Sequence, residues 1–191
     1  MILGITGGTG CGKTTLLEQI RQAGGVILDC DAIYHQLLQK DAELLKAIET
    51  RFPGTVEGGI LQRKKLGAIV FADPDALADL NRITHSAIHR EVLRRLTPQP
   101  PLAAVDAIAL LESSLKELCH VTVAVTAPVE ARIKRIMARD GITEEYALAR
   151  IQAQPDNAYF SKNCDYTLEN DGTPGDFQVK CLAFLKQLAI I

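Results

Sequence analysis

GITGGTGCGKTTLLEQI, residues 4–20, is the stretch that decides the fold of this chain. It places four residues at the spacing Gly-x4-Gly-Lys-Ser/Thr, namely Gly7, Gly12, Lys13 and Thr14. The apolar run Ile2–Thr6 comes before the glycines, and apolar residues follow at helical spacing until Gly24. This pattern predicts a strand, a phosphate-binding loop and a helix in that order.

The predicted loop suits a phosphate group for two physical reasons. Glycines let successive backbone N–H groups turn inward, and the helix that starts near Lys13 directs the positive end of its dipole to the same place. Lys13 is expected to reach the β- and γ-phosphates, and Thr14 to place its hydroxyl on Mg²⁺. The residues predicted to bind the nucleotide phosphates are Gly8, Thr9, Gly10, Cys11, Gly12, Lys13, Thr14 and Thr15.

Two carboxylates stand one residue apart where a second predicted strand, VILD at Val26–Asp29, gives way to a helix. A kinase that acts on an alcohol needs such an acid beside the acceptor hydroxyl, to orient it and to take its proton. Aspartate is also a preferred helix N-cap, so Asp29 or Asp31 could have that structural purpose instead. The nearby phosphate loop favours a catalytic Asp31.

Charged side chains later in the chain add candidates for the same site. Arg135 and Arg139 lie one helical turn apart, and arginines that close over a nucleotide stabilise the charge on a transferring phosphoryl group. Arg150, on the next predicted helix, could join them. Asp106 interrupts an apolar strand, where a carboxylate must be paired or lie near a metal, and the sequence leaves both readings open.

The order of the predicted elements indicates an α/β fold. A β-α-β unit opens the chain, residues 41–97 are largely helical with no strand-like run, and further strands are expected in LAAVDAIAL, VTVAVTA and YTLEN. Helices are predicted from Pro128 to Gly141, at about 143–154 and at 177–188. We therefore expect a mostly parallel five-stranded sheet with helices on both faces, a helical insert and a helical lid. In such sheets ligands bind beyond the carboxyl ends of the strands.

The composition narrows the class of protein. The 191 residues are 47% hydrophobic and 23% charged, and the net charge of -2 gives no electrostatic reason to expect a nucleic-acid partner. Five cysteines without a Cys-x-x-Cys pair predict reduced thiols, not a zinc or redox site. Neither a signal peptide nor the run of about 20 apolar residues that a membrane span needs is found. The sequence thus predicts a cytoplasmic protein with no membrane partner.

Taken together, these segments resemble the dephospho-CoA kinase family along most of the chain. The resemblance runs through GITGGTGCGKTT, ILDCDAIYHQLL, GGILQRKKLGAIVF with LADLNRITHSAIH, DAIALLESSL, RIKRIMARDGITEEYALARIQAQ and CDYTLEN. It implies a P-loop kinase that uses ATP to phosphorylate the ribose 3′-hydroxyl of dephospho-CoA. Four positions depart from the family pattern, His35, Ser86, Ile108 and Leu111, and all lie on the substrate side.

The resemblance also assigns roles to individual residues. Asp31 would be the catalytic base, Arg139 a lid arginine at the ATP phosphates, and Asn170 a neighbour of the adenine. The acceptor site would involve Asp31, His35, Arg63, Leu66, Phe71, His85 and Asp106. The implied organisation is a nucleotide-binding core at 1–34, 99–137 and 163–191, a helical CoA-substrate subdomain at 35–98 and a lid at 138–162.

Two other classes of protein share the opening loop. A nucleoside or shikimate-type kinase would have the same fold and reaction with another acceptor, and the stretch from Gly59 to Phe71 argues against it. A GTP-dependent switch would carry an Asn-Lys-x-Asp motif, and the nearest string, KNCD at Lys162–Asp165, has the wrong order.

Overall fold

A computed structural model describes all 191 residues, which form seven strands and nine α-helices. The strands are β1 (Ile2–Thr6), β2 (Val26–Asp29), β3 (Val56–Glu57), β4 (Ile60–Leu61), β5 (Ala103–Asp106), β6 (Val121–Thr126) and β7 (Tyr166–Glu169). The helices are α1 (Lys13–Gln22), α2 (Cys30–Lys40), α3 (Ala42–Arg51), α4 (Arg63–Val70), α5 (Pro74–Arg95), α6 (Val129–Asp140), α7 (Glu144–Gln152), α8 (Asn157–Asn163) and α9 (Pro174–Gln187). Residues 1–28 and 99–191 form one compact unit, and residues 29–98 form a second.

The predicted five-stranded sheet is confirmed, with the strand order β2-β5-β1-β6-β7. β1 pairs in parallel with β5 on one side and β6 on the other, and β7 pairs in parallel with β6. All five residues of β1 are buried, as expected for a strand with neighbours on both edges and helices on both faces. The side chains of Leu3 and Ile5 join one core with α1 and α9, whose members include Leu16, Phe177 and Phe184.

The ends of the helices differ from the predicted ones by a few residues, for local reasons. Pro128 is the N-cap of α6 and not its first residue, while Gly141 ends the helix in the left-handed conformation at φ 65°. The side chain of Thr143 caps α7. A capping box starts α9 at Pro174, three residues before the predicted start. The short helix α8 was not predicted.

The second unit packs α2 to α5 around its own core. Phe52, Ile48 and Leu44 are almost fully buried there beside Leu66 and Leu80. The prediction that this region has no strand is wrong, because β3 and β4 form an antiparallel hairpin. Gly58 and Gly59 make its turn with φ values of 58° and 78°, the two positive values that a two-residue turn between twisted strands requires.

The five cysteines are all free, as predicted. None of the nine helices combines the length and the apolar character that crossing a bilayer requires.

The core of the second unit predicts a sharp contrast between two identical substitutions. Phe52→Ala should lower the free energy of unfolding by about 3–5 kcal/mol, because the ring is 2% exposed and its removal leaves a cavity. Phe71→Ala should change it by less than about 0.5 kcal/mol, because that ring is 85% exposed. Denaturant unfolding of both variants measures the difference, and similar losses would contradict the packing described here.

Candidate active site

The phosphate loop connects β1 to α1, and its glycines are required by space as well as by backbone conformation. Gly12 caps α1 with φ 98°, and a Cβ at this residue would lie 2.3 Å from Asn170 Nδ2. A Cβ at Gly7, where φ is 135°, would lie 2.1 Å from the carbonyl oxygen of Val125. Substitution at either position would displace the loop from the elements that surround it.

Several backbone N–H groups of the loop donate to no acceptor in the chain. They belong to Gly10, Gly12, Lys13 and Thr14. Those of Lys13 and Thr14 are the free donors of the first turn of α1, at the positive end of its dipole. Unpaired N–H groups in a loop that precedes a helix form a binding site for an anion, and phosphate is the group this geometry suits.

Three successive carbonyl groups of the loop accept hydrogen bonds from side chains outside it. The pairs are Arg132 Nε to Thr9 O at 2.8 Å, Arg135 Nη1 to Gly10 O at 3.2 Å and Asn170 Nδ2 to Cys11 O at 2.9 Å. In a planar trans peptide the carbonyl and the following N–H point in opposite directions. Binding Thr9 O and Cys11 O from outside therefore turns the N–H groups of Gly10 and Gly12 away from these donors. We call this set of three donors the carbonyl brace.

Lys13 lies in this loop with its charge partly balanced inside the chain. Its Nζ donates to Gly7 O at 3.0 Å and lies 3.8 Å from Asp106 Oδ1. Asp106 ends β5, next to β1 in the sheet, so its carboxylate is brought to the loop by strand pairing. Burial raises the pKa of the neighbouring Cys11 thiol, with Arg132 and Lys13 opposing the shift, so this cysteine packs in the core as a protonated thiol.

The two aspartates at the junction of β2 and α2 have different environments. Asp29 is the N-cap of α2, and its Oδ1 accepts from the backbone N–H of Ala32 at 3.0 Å. Asp31 lies in the first turn of the same helix with an exposed side chain, and it is not the cap. The structural alternative that the sequence left open for both residues therefore applies to Asp29.

The arginines predicted to face the phosphates are separated in the structure. Arg135 belongs to the carbonyl brace, and its Nη2 also donates to Asn170 Oδ1 at 3.1 Å. Arg139 is largely exposed and forms two hydrogen bonds with Asp140, at 2.7 and 2.9 Å. Arg150 of α7 donates to the same carboxylate at 2.6 Å. These two arginines thus share one carboxylate partner at the surface.

Asn170 follows β7 and is 5% exposed. Both ends of its amide are bonded, because Nδ2 donates to Cys11 O and Oδ1 accepts from Arg135. The sequence resemblance implies that this residue lies beside the adenine. The structure shows a further role for it, as a member of the carbonyl brace.

A groove in the second unit gathers four of the residues predicted for the acceptor. Its volume is about 220 Å³ and its wall is mostly apolar. His35, Arg63, Leu66 and Phe71 line it together with Tyr34, Leu38, Leu61, Gly67, Val70 and Leu80. His85 is half-buried on α5 and does not line the groove. The groove joins an apolar wall to one cationic side chain, that of Arg63.

Comparison with known proteins is consistent with this arrangement. A family model described as dephospho-CoA kinase matches residues 1–176. The chain belongs to the dephospho-CoA kinase family. Its predicted family and its α/β P-loop kinase fold are thereby confirmed, and membership implies the use of ATP.

Individual relatives match over nearly the whole chain. A dephospho-CoA kinase of Thermus thermophilus is 35% identical over 189 residues, which cover 98% of this chain and 92% of the relative. A crystal structure of a Thermus thermophilus protein has a TM-score of 0.80 at 34% identity, covering 98% of this chain and 97% of the other. Dephospho-CoA kinase from Campylobacter jejuni has a TM-score of 0.66 at 25% identity, covering 98% and 96%.

Some residues around the loop of this dephospho-CoA kinase family member were not predicted as functional. Arg132 and Gln154 both bind Thr9, yet the sequence offered only a basic helix face and a glutamine before a proline. The spacing of Arg132 and Arg135, three residues apart on α6, was the one signal that both face the same side. For Gln154 the sequence contains no such signal.

The carbonyl brace predicts a double effect for Asn170→Ala. The variant should lower the stability of the nucleotide-free protein by about 1–3 kcal/mol, because Cys11 O loses its buried donor. It should also weaken ATP binding by about tenfold, as the loop relaxes. Thermal unfolding without nucleotide and titration with ATP measure the two effects.

Asn163→Ala is the matched control for this prediction. The Asn163 amide is exposed and donates to Tyr159 O at 2.8 Å, so its loss should change stability by less than about 0.5 kcal/mol. Asn170→Ala could instead weaken ATP binding and leave the nucleotide-free protein as stable as the control. That result would mean that Asn170 contacts the adenine of ATP without bracing the loop.

Proposed function

We propose that this protein transfers the γ-phosphate of ATP to the ribose 3′-hydroxyl of dephospho-CoA, giving CoA and ADP. The observation that carries the proposal is the phosphate loop, whose unpaired N–H groups stand in a chain of the dephospho-CoA kinase family. The acceptor oxygen forms a new bond to the γ-phosphorus while the bond from that phosphorus to the β,γ-bridging oxygen breaks. The proton of the hydroxyl goes to a base, and ADP leaves.

The donor side of the reaction is assigned to residues 8–15. The unpaired N–H groups among them, those of Gly10, Gly12, Lys13 and Thr14, hold the β- and γ-phosphate oxygens. Lys13 exchanges its contacts with Gly7 O and Asp106 for a contact with a phosphate oxygen. Positive charge at this position stabilises the negative charge that spreads over the transferring group.

Magnesium is part of the proposal, and the residues present fit it. The described residues hold no cluster of three or more His, Cys, Asp or Glu side chains that could bind a metal alone. Mg²⁺ in phosphate-transfer sites takes few protein ligands and completes its shell with phosphates and water, which matches the exposed Thr14 hydroxyl. When bound, the ion would neutralise charge on the β- and γ-phosphates.

Asp31 is proposed as the base. Its side chain is exposed, it follows the end of β2 by two residues, and the capping of α2 is already provided by Asp29. Ligands of such sheets bind beyond the carboxyl ends of the strands, and in the sequence Asp31 follows such an end. A carboxylate there can orient the acceptor hydroxyl and accept its proton.

Residues 138–162 are proposed as the lid, with Arg139 as the phosphate-binding arginine. Both Arg139 and Arg150 are bound to Asp140 in an exposed position. Exposed ion pairs contribute little to stability, so an incoming triphosphate can replace Asp140 as the partner of either arginine at low cost. Such an exchange would bring positive charge to the γ-phosphate when nucleotide is present.

The groove on the second unit is proposed to hold part of dephospho-CoA. Apolar walls suit the uncharged arm of the molecule, and Arg63 suits its phosphates. About 220 Å³ is smaller than the cavities of 300–1,000 Å³ usual for drug-sized ligands, so only a portion of the acceptor fits. His85 and Asp106 remain proposed acceptor residues outside the groove. For an enzyme with small-molecule substrates and this fold we also propose a cytoplasmic location.

The acceptor is tested by incubating the protein with ATP, Mg²⁺ and dephospho-CoA. CoA and ADP should form in equal amounts, with the new phosphate on the ribose 3′-oxygen by ³¹P NMR. Shikimate and nucleosides serve as competing acceptors, and GTP replaces ATP in a parallel reaction. Phosphorylation of one of these alcohols without formation of CoA would overturn the assignment.

Asp31→Asn should keep ATP binding and lose turnover by roughly 10²–10⁴-fold, because an amide cannot accept the proton. Asp29→Asn, two residues earlier, is the matched control, since asparagine caps a helix as well as aspartate does. Steady-state kcat and the dissociation constant of ATP are measured for both variants. Near-normal kcat for Asp31→Asn would remove this residue from the role of base.

A further inference from the structure

Arg132 carries a charge that is buried beside the phosphate loop and paired with no carboxylate. It is 2% exposed, and none of the ion pairs of the structure includes it. Its Nε donates to Thr9 O at 2.8 Å. Removing a charge from water is costly unless an opposite charge or several hydrogen bonds compensate for it. A carbonyl oxygen supplies only partial compensation.

Gln154 binds the N–H of Thr9, the loop residue whose carbonyl group is bound by Arg132. Its Oε1 accepts from the N–H of Thr9 at 2.8 Å and lies 3.5 Å from Arg132 Nη2. Gln154 follows α7, and Ile151 of that helix packs against Ile136 of α6. The two residues therefore reach Thr9 from a pair of helices that pack on each other.

The loop is shaped to admit Arg132. A Cβ on Gly8 would lie 2.2 Å from Arg132 Nη2, although the backbone of Gly8 does not adopt a positive φ. A Cβ on Gly10 would lie 2.9 Å from the backbone oxygen of Arg132. The Arg132 side chain and the first turns of α6 thus fill space that is available only because residues 8 and 10 are glycines.

The hydrogen bond from Arg132 to Thr9 O also fixes the direction of the Gly10 N–H. Because Arg132 binds Thr9 O, the N–H of Gly10 in the same peptide group points the opposite way, and it donates to no acceptor in the chain. The loop therefore offers N–H donors for an anion, with a buried cation packed against it. In a medium of low dielectric constant such a cation attracts a nearby anion more strongly than it would in water.

We propose that Arg132 and Gln154 are positioning residues for the donor nucleotide: they clamp Thr9 from both sides, and the uncompensated charge of Arg132 is balanced by the nucleotide phosphates. Neither residue is assigned a contact with the reacting atoms. The inference rests on the proposed function only for the identity of the nucleotide as ATP.

Gln154→Glu separates this proposal from a purely structural role. The substitution is isosteric and keeps an acceptor for the Thr9 N–H, so a structural contact would tolerate it. It also places a carboxylate beside Arg132, which then competes with phosphate for the guanidinium. The variant should bind ATP about tenfold more weakly, or about 1.4 kcal/mol, while its nucleotide-free form melts at a higher temperature.

Gln152→Glu is the matched control. It makes the same change of charge two residues away on the exposed side of α7, and should alter ATP affinity by less than about twofold. Titration with a non-hydrolysable ATP analogue, without acceptor, is the measurement. Wild-type affinity in Gln154→Glu, or an equal loss in Gln152→Glu, would overturn the proposal.

Arg132→Met and Arg132→Lys complete the test. Arg132→Met should weaken binding of the ATP analogue by about tenfold or more. Arg132→Lys should lose less affinity, because lysine keeps the charge but not the planar donor group. The KM for ATP should rise in both, while the KM for the acceptor stays within about twofold. Equal affinity of Arg132→Met and the wild type for the ATP analogue would contradict the proposal. If Arg132→Met does not fold, the result for Gln154→Glu decides whether the proposal holds. Because no acceptor enters the titration, a wrong acceptor assignment would leave this result standing.

Discussion

The carbonyl groups of residues 9–11 are the constraint on which the site depends. A glycine-rich loop can turn its peptide groups either way, and an anion site forms only when the N–H groups face the ligand. Here Arg132, Arg135 and Asn170 bind these carbonyl oxygens from outside. The loop therefore keeps a binding geometry that its own sequence permits but does not enforce, and less reorganisation is needed when a phosphate arrives.

The sheet explains how residues so far apart in the chain meet at this loop. β1, β6 and β7 are consecutive neighbours in a parallel sheet, so their carboxyl ends lie along the same edge. The loop follows β1, α6 follows β6, and Asn170 follows β7. On the opposite side of β1, strand β5 brings Asp106 to Lys13. The strand order thus assembles the groups that hold the loop, and a change of register would separate them.

Local patterns predicted much of this fold because they are set by a few adjacent residues. The apolar runs of β1 and β6, the spacing of the loop and the start of α1 could all be recognised in this way. The hairpin β3–β4 could not, since two-residue strands are too short to show alternation. The competition between Asp29 and Asp31 for the N-cap was decided by where β2 ends. Gln154 and Arg132 act through tertiary contacts, and no pattern in one sequence indicates which polar side chain meets a loop more than 100 residues away.

Two cationic side chains contact the loop, and they differ in exposure. This difference suits them to different roles. Lys13 is partly exposed, stands on a flexible stem and already has Gly7 O and Asp106 as partners, so it can exchange them for a phosphate oxygen. Arg132 is enclosed by α6 and the loop glycines and cannot follow the transferring group. A charge that cannot move acts through its field and through the carbonyl it holds. The residue that can change partners is therefore suited to the reacting phosphate, and the enclosed one to defining where the nucleotide is held.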